Sequence, residues 1–384
     1  MAAEEDVGLP LARWTSACVI APAEAKDTKI GLQKGVGSES EDACVLLELC
    51  RDLQNARSQA CVYDKVSEED RLRHCKQYLS KLHKLTSNLD ERERVSKLSV
   101  ELKWTTRITA TRGDKDFVLR HLHQELQMST AYMALQVRQY ALTQVDLEKE
   151  KQKVVDLDTL KLCVQRLREA AGAFQASHDY FVAKRDSEEG VKQGYDIPSE
   201  LCLSMCRCLS QMCLGEAQLV TAHRAEKKAL SRHLVSALYV GAAVFFEDAT
   251  KEIKKNTGEF NEIPDNLMKY LAFMSWLSQG RACEQHALHL QETEKVGEAI
   301  TSFKQALGFV HKCKSFAEDV PNAWEDTYEK ECARVTQRHN KARHENEVVH
   351  FQKEAKVPSP CPEPKQVVSL LPFEYQSAKG TIST

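Results

Sequence analysis

The chain has 384 residues, of which 28% are charged and 42% apolar, and its 53 basic side chains nearly balance 56 acidic ones. This balance indicates a soluble globular protein and excludes a general attraction for nucleic acid. No run of about 18 apolar residues is present, so any membrane contact is expected to be peripheral. The 14 cysteines follow an acidic N-terminus without the apolar core of a secretory signal. We therefore expect a reducing compartment and no disulfide framework.

The first part of the chain has few sequence patterns that predict secondary structure. Residues 1–40 combine several glycines with few apolar positions, which predicts an irregular N-terminal arm with at most a short strand at residues 14–20. Helices are expected at residues 42–60 and 67–85, the latter because the sequence SEED supplies an acidic first turn.

A period-two pattern marks residues 98–110. Leu98, Val100, Leu102 and Trp104 alternate with polar residues, and a threonine-rich stretch follows. Such alternation is typical of a strand with one buried face. We therefore predict a small β-hairpin near residues 98–110.

Beyond Asp114 the hydrophobic pattern is helical almost to the end of the chain. The predicted helices are 115–146, 158–184, 197–224, 227–255, 265–292, 294–315 and 321–354. They have no fixed repeat length, so they predict stacked helical hairpins with a tetratricopeptide-like core rather than a regular repeat. Small residues around Ala171 and Gly297 predict close approach between paired helices.

The tail contains Pro358, Pro360, Pro362 and Pro364. Prolines at this density exclude a helix and favour an extended conformation. We predict an extended C-terminal strap over residues 359–384, after a single helical domain over residues 41–358.

Four cysteines lie close together at Cys202, Cys206, Cys208 and Cys213. On a helix, Cys208 points away from the side that the other three share, so the four cannot converge on one tetrahedral ion without a second element. We interpret them as small core side chains rather than as a zinc site.

Cys283, His286 and His289 could offer two metal ligands on one helical face. Their polar neighbours indicate a solvated helix instead, although a metal-dependent enzyme built on these residues stays an alternative. Motifs for nucleophilic serine, nucleotide phosphate, zinc-protease and dinucleotide chemistry are absent from the sequence. We therefore expect no enzyme activity, cofactor, metal or small-molecule substrate.

Residues 196–249 contain two consecutive helix patterns without a glycine–proline break. In the second helix, Leu230, Leu234 and Leu238 line one side, and basic residues that include Arg224 precede it. Such a leucine row is typical of a packed core, but it also fits a groove for a partner's amphipathic helix whose carboxylates meet Arg224. The basic residues also fit an anionic membrane surface.

A family resemblance rests on four motifs that occur in a fixed order. They are LREAAGAF at residues 167–174, DIP at 196–198, GEAQLV at 215–220 followed by Arg224–Ala225, and KVGEAITSF at 295–303. Together they resemble the BRO-one domain of the ALIX and BROX type. The similarity runs without a gap over residues 215–249.

This resemblance implies a mainly α fold in the form of a curved, boomerang-shaped array of helical hairpins. It also implies a non-catalytic adaptor that binds the C-terminal amphipathic helix of an ESCRT-III subunit in endosomal sorting or membrane remodelling. The chain lacks a prenylation signal at its end, which predicts a stand-alone, unlipidated adaptor. We expect it in the cytoplasm, peripherally associated with endosomes. A helical scaffold of the same fold that recruits a different protein client is the alternative.

The resemblance also implies contact residues. The family's two aliphatic contacts fall on Leu234 and Leu238, and its basic contact falls on Arg224. Its aromatic contact falls on Thr221, so a ring that would bury considerable apolar area is missing, and weaker affinity or altered partner choice follows.

The family's acidic contact falls on Leu157, which has Asp156 and Asp158 on either side. A shift of one residue would restore the carboxylate. We therefore include Asp158 in the expected contact surface.

Overall fold

The computed structural model describes residues 24–32, 41–61, 67–87, 98–105, 108, 116–152, 155–185, 198–259, 265–317 and 323–375. Within these ranges the protein consists of nine α-helices and one three-stranded antiparallel sheet. The strands are β1 Glu24–Leu32, β2 Leu98–Thr105 and β3 Asp116–Leu119. The helices are α1 Glu41–Cys61, α2 Glu68–Ser87, α3 Leu122–Gln152, α4 Leu157–Arg185, α5 Leu203–Lys227, α6 Arg232–Lys255, α7 Asp265–Glu292, α8 Val296–Ala317 and α9 Ala323–Glu345.

From α2 to α9, each helix packs against the next helix in the chain. This succession confirms the predicted mainly α fold of stacked hairpins. Residues 265–292 form α7 as predicted, but the helix predicted over 321–354 is too long. It ends at Glu345 and passes through a π-helical turn, Asn346–His350, into an extended tail.

The sheet confirms one prediction about the N-terminal part of the chain and corrects two. Strand β2 lies within the predicted hairpin and pairs with β1 on one side and β3 on the other, so both partner strands lie outside residues 98–110. Residues 1–40 are therefore not irregular throughout, and the helix predicted from residue 115 begins only after β3. Both edge strands are short or mostly polar, so their sequences lack the clear alternation of β2. The strand predicted at residues 14–20 lies outside the described residues.

The interior contains charged side chains that their sequence context does not reveal. Arg138 of α3 forms a bidentate ion pair with Glu216 of α5, with Nε–Oε2 at 2.8 Å, and Tyr270 donates a hydrogen bond to the same carboxylate. Arg281 of α7 pairs with Glu331 of α9 at 2.5 Å. Each pair ties two helices together, and removal of one partner would leave the other charge buried.

The C-terminal strap, defined here as residues 351–375, has no helix or strand and runs back across the helices in reverse chain order. The amides of Ala355, Lys365 and Leu371 donate to the carbonyls of Gly297 in α8, Ala237 in α6 and Arg168 in α4, at 3.2, 2.9 and 3.1 Å. Its last described residue, Tyr375, stacks on His83 of α2 with ring centroids 4.8 Å apart. The strap thus contacts α8, α6, α4 and α2 in turn.

Three glycines within helices allow the strap to pack directly against the helix backbones. A Cβ atom at Gly172, Gly241 or Gly297 would lie 1.7, 2.6 or 2.3 Å from a carbonyl oxygen of the strap. Two of these glycines belong to the small-residue blocks for which close helix–helix approach was predicted. Their observed role is to let the strap backbone approach the helices, which needs a residue without a Cβ atom.

Among the described residues, none of the helices is both long and apolar enough to cross a membrane.

Candidate partner-binding site

The turn between α5 and α6 builds one end of the helical array. Ala229 adopts the left-handed conformation with φ 51°, and the Leu230 amide donates to the Ala225 carbonyl at 3.1 Å, which closes the end of α5. The Ser231 hydroxyl then accepts from the Leu234 amide at 3.4 Å and caps α6. This pair of caps places Leu230 and Leu234 at the outer end of the hairpin.

The leucine row of α6 is only partly open to solvent. Leu230 is 44% exposed and Leu234 is half-buried, but Leu238 is only 4% exposed and belongs to the main core cluster. The expectation that both Leu234 and Leu238 lie uncovered is therefore wrong for Leu238.

The strap and α5 both form hydrogen bonds with this turn of α6. The Gln218 side-chain amide donates to the Leu238 carbonyl at 3.1 Å and to the Lys365 carbonyl of the strap at 2.8 Å. The Lys365 amide in turn donates to the Ala237 carbonyl. The strap thus crosses α6 at the turn that carries Leu238, so one end of the leucine row is open and the other is covered.

Arg224 and Thr221 lie on α5 beside this open end. The Thr221 hydroxyl donates to the Ala217 carbonyl at 2.8 Å, so its only donor is used within the helix. Arg224 is half-buried, and its Nε atom has no hydrogen-bond partner among the described residues. Since this Nε atom is itself buried, a partner's carboxylate could contact only the part of Arg224 that stays exposed.

The predicted acidic contact lies at the start of α4. Asp156 caps the helix, and its carboxylate accepts hydrogen bonds from the Thr159 amide at 2.8 Å and from the Asp158 amide at 2.6 Å. These bonds, the Thr159 contacts foremost, lower the pKa of Asp156. Asp158 is exposed to solvent. Lys227 donates to the Val155 carbonyl at 3.2 Å, which brings the start of α4 to the end of α5.

Arg232, the first residue of α6, is engaged within the protein. Its Nη1 atom donates to Gln285 at 3.0 Å, and its Nε atom lies 3.6 Å from Glu292. The structure therefore brings Arg224, Thr221, Leu234 and Asp158 to the same end of the array, with Arg232 turned toward α7.

The grouped cysteines of α5 and the residue before it are buried. Burial raises the pKa of Cys202 and Cys206 to about 12 and also raises the pKa of Cys208 and Cys213, so all four thiols keep their protons at neutral pH. This placement agrees with their interpretation as small core side chains.

Helix α7 differs from its prediction as a solvated helix. Glu284 is fully buried and pairs with Arg334 at 2.6 Å and Arg338 at 3.1 Å. Cys283 faces a cysteine of the strap rather than His286 or His289. In the described part of the chain, no three His, Cys, Asp or Glu side chains lie close enough together to hold a metal ion.

Comparison with known proteins places this architecture in a family. The sequence over residues 31–382 matches the BRO1-like domain. The chain belongs to the BRO1-like domain family. This confirms the resemblance found in the four sequence motifs. No curated protein sequence matches the chain.

Solved structures share the fold of this BRO1-like chain. An ALIX BRO1–CHMP4C complex is 16% identical with a TM-score of 0.68, and the match covers 92% of this chain and 94% of that one. A structure of ALIX with the SIVmac239 PYKEVTEDL late domain gives 16% identity and a TM-score of 0.67, covering 92% and 48%. A structure described as the basis for endosomal targeting by the Bro1 domain gives 15% identity and a TM-score of 0.65, covering 92% and 91%. The likeness extends over nearly all of this BRO1-like chain.

Proposed function

We propose that this BRO1-like chain is a non-catalytic adaptor that binds the C-terminal amphipathic helix of an ESCRT-III subunit in endosomal sorting or membrane remodelling. Family membership supports the adaptor role, and an ALIX BRO1 domain of the same fold has been solved with CHMP4C. The observation that carries the proposal is the half-exposed leucine end of α6 beside the half-buried Arg224.

The proposed contact surface differs from the expected one in which leucines are exposed. Leu230 and Leu234 provide the apolar contact, and the buried Leu238 forms the floor beneath them. Arg224 meets a carboxylate of the partner helix. Asp158 and the methyl group of Thr221 form the edge of the surface.

The decisive experiment measures binding of a fluorescently labelled ESCRT-III C-terminal helix to the full chain by anisotropy. Leu234→Asp is expected to weaken binding about thirtyfold, because an interfacial leucine contributes about 2 kcal/mol. The matched control is Val182→Asp, since Val182 is 46% exposed and lies at the opposite end of α4 from Asp158. Equal affinities for wild type and a folded Leu234→Asp variant would refute the site.

The charge contact has its own test. Arg224→Glu is expected to weaken binding about tenfold, with a smaller dependence on salt concentration, because an attractive contact becomes repulsive. Arg207→Glu is the control, since Arg207 is an exposed arginine near the other end of α5. A loss of the same size in both variants would indicate general charge attraction instead of a specific contact.

A second candidate is a scaffold of the same fold that recruits a different protein client. The burial of Leu238 and the threonine at 221 favour it, because both reduce the apolar area offered to a helix. A pull-down from cells that recovers another partner and no ESCRT-III subunit would decide for this candidate. For either one we propose a cytoplasmic protein at the endosome periphery, which fluorescence microscopy with an endosomal marker would test.

A further inference from the structure

Two thiols from distant parts of the chain face each other where the strap crosses α7. Cys283 Sγ and Cys361 Sγ are 3.4 Å apart. Cys283 is buried in α7, whereas Cys361 lies in the strap and is half-buried. Across the described residues, no other pair of cysteine sulfurs makes such a contact. The two sulfurs need to approach by little more than an ångström to reach bonding distance, which is about 2 Å.

The strap holds Cys361 in place at this point. Pro360 and Pro362 flank it, which fixes two φ angles and restricts the conformation of Cys361 itself. The hydroxyl of Ser359 donates to the carboxylate of Glu298 in α8. The sulfur of Cys361 is therefore kept opposite Cys283 by its immediate neighbours.

The two thiols differ in acidity. A hydrogen bond from Cys283 lowers the pKa of Cys361, and the Ser236 hydroxyl lowers it further. The same hydrogen bond, together with burial, raises the pKa of Cys283. Cys361 is therefore the more nucleophilic and the more accessible of the pair, and Cys283 is the proton donor behind it.

We propose that Cys283 and Cys361 form a disulfide upon exposure to a hydroperoxide and that this bond fastens the strap to α7. The Cys361 thiolate attacks one peroxide oxygen, the O–O bond breaks, and Cys361 becomes a sulfenic acid with release of hydroxide, which takes up the proton of Cys283. The Cys283 thiolate then attacks the Cys361 sulfur and expels hydroxide, which takes back from solvent the proton that Cys361 lost on ionisation and becomes water. Overall, two thiols lose two electrons and two protons, and hydrogen peroxide is reduced to two waters. A dithiol reductant reverses the bond.

The bond would act on the strap beyond Cys361. The amides of Lys365, Val367 and Leu371 each donate one hydrogen bond, to Ala237 of α6, the Gln218 side chain of α5 and Arg168 of α4. A covalent link at Cys361 keeps these groups close to their partners whenever one bond opens. It also closes a long loop in the unfolded chain, which is expected to raise Tm by about 5 °C.

The test uses the full chain, reduced and then treated with hydrogen peroxide. Remaining thiols are alkylated, and the protein is digested without reduction and analysed by mass spectrometry. We expect a linked peptide pair that contains Cys283 and Cys361, lighter by two hydrogen atoms than its parts, and a loss of two of the 14 thiols. Hydrogen exchange at Lys365 and Leu371 is expected to slow after oxidation.

Cys361→Ser is expected to abolish the linked pair and the slower exchange. Cys283→Ala should abolish them too, and it is expected to leave Cys361 oxidised but unlinked. Cys332→Ser is the matched control, because Cys332 is also half-buried but lies beside His311. The proposal is overturned if Cys361 stays reduced while other cysteines oxidise, or if it pairs with a different cysteine. These outcomes do not depend on any partner helix, so they are separable from the proposed function.

Discussion

Helix α6 has two consecutive turns with the same kind of sequence and different surroundings. Leu234 lies at the open end of the α5–α6 hairpin, while Leu238 lies one turn further, where Gln218 and Lys365 fix the strap to the helix. Consecutive leucines of the row are four residues apart in both turns. The difference arises from a segment that returns from the far end of the chain, so an apolar row does not by itself reveal which part of it stays open.

The largest expected effect is on the free energy of unfolding, and it differs between these two turns. Leu238→Asp is expected to lower the free energy of unfolding by about 4 kcal/mol or more, because the new carboxylate would be buried without a partner. Leu234→Asp is expected to lower it by about 1 kcal/mol, since its carboxylate reaches water. Urea denaturation followed by circular dichroism measures both. Similar losses in the two variants would show that α6 does not have one open and one covered turn.

A second prediction concerns the contact that brings the strap to the helices. Gly172→Ala is expected to destabilise the protein by about 2 kcal/mol, because the new Cβ would lie 1.7 Å from the Leu371 carbonyl oxygen and the strap backbone must move. Limited proteolysis should then cut the strap faster. Gly308→Ala is the matched control in α8, where a Cβ meets no atom within 4 Å. That control is expected to gain about 1 kcal/mol from helix propensity, and a gain in both variants would contradict the assigned role of Gly172.

The helices could be predicted because their signals are local. Apolar periodicity and flanking turn residues gave α7 its observed bounds, and the acidic first turn located α2. The strap contacts could not be predicted, because the need for a glycine at 172 depends on a carbonyl of Leu371 that is distant in sequence. The burial of Glu216 could not be predicted for the same reason, because Arg138, which neutralises it in the interior, is distant in sequence.

The candidate site was predictable in part. Family-like motifs brought Arg224 and Leu234 into consideration, and both lie at the open end of the hairpin. The burial of Leu238 was not predictable, because the strap and Gln218, which bond at its turn of α6, are not its neighbours in sequence. The contact roles of Arg224, Leu234, Leu238, Thr221 and Asp158 all stay predictions.

The Gln218 side chain, which links the covered turn of α6 to the strap, offers a further test. Gln218 accepts from the Val367 amide at 3.1 Å and donates to two carbonyls. Gln218→Leu is expected to cost about 2 kcal/mol, since these backbone groups lose their partner in a partly buried place. Gln279→Leu is the control, because its main bond goes to the half-buried Glu247 side chain and its loss should cost about 0.5 kcal/mol. Hydrogen exchange at Val367 should accelerate only in the first variant, and unchanged exchange there would contradict the bridging role.

The smallest expected effect lies at the turn that presents the open end of α6. Ala229 has φ 51°, a conformation that an L residue with a Cβ atom adopts at a cost of about 1 kcal/mol. Ala229→Gly is therefore expected to stabilise the protein by up to about 1 kcal/mol without changing the position of Leu230 or Leu234. Ala333→Gly, at an exposed interior position of α9, should have the opposite sign and a similar size. Because a rigid turn presents the leucines in one arrangement, Ala229→Gly should leave the affinity for the partner helix unchanged, and a measurable loss of affinity would mean that strain in this turn contributes to the binding surface.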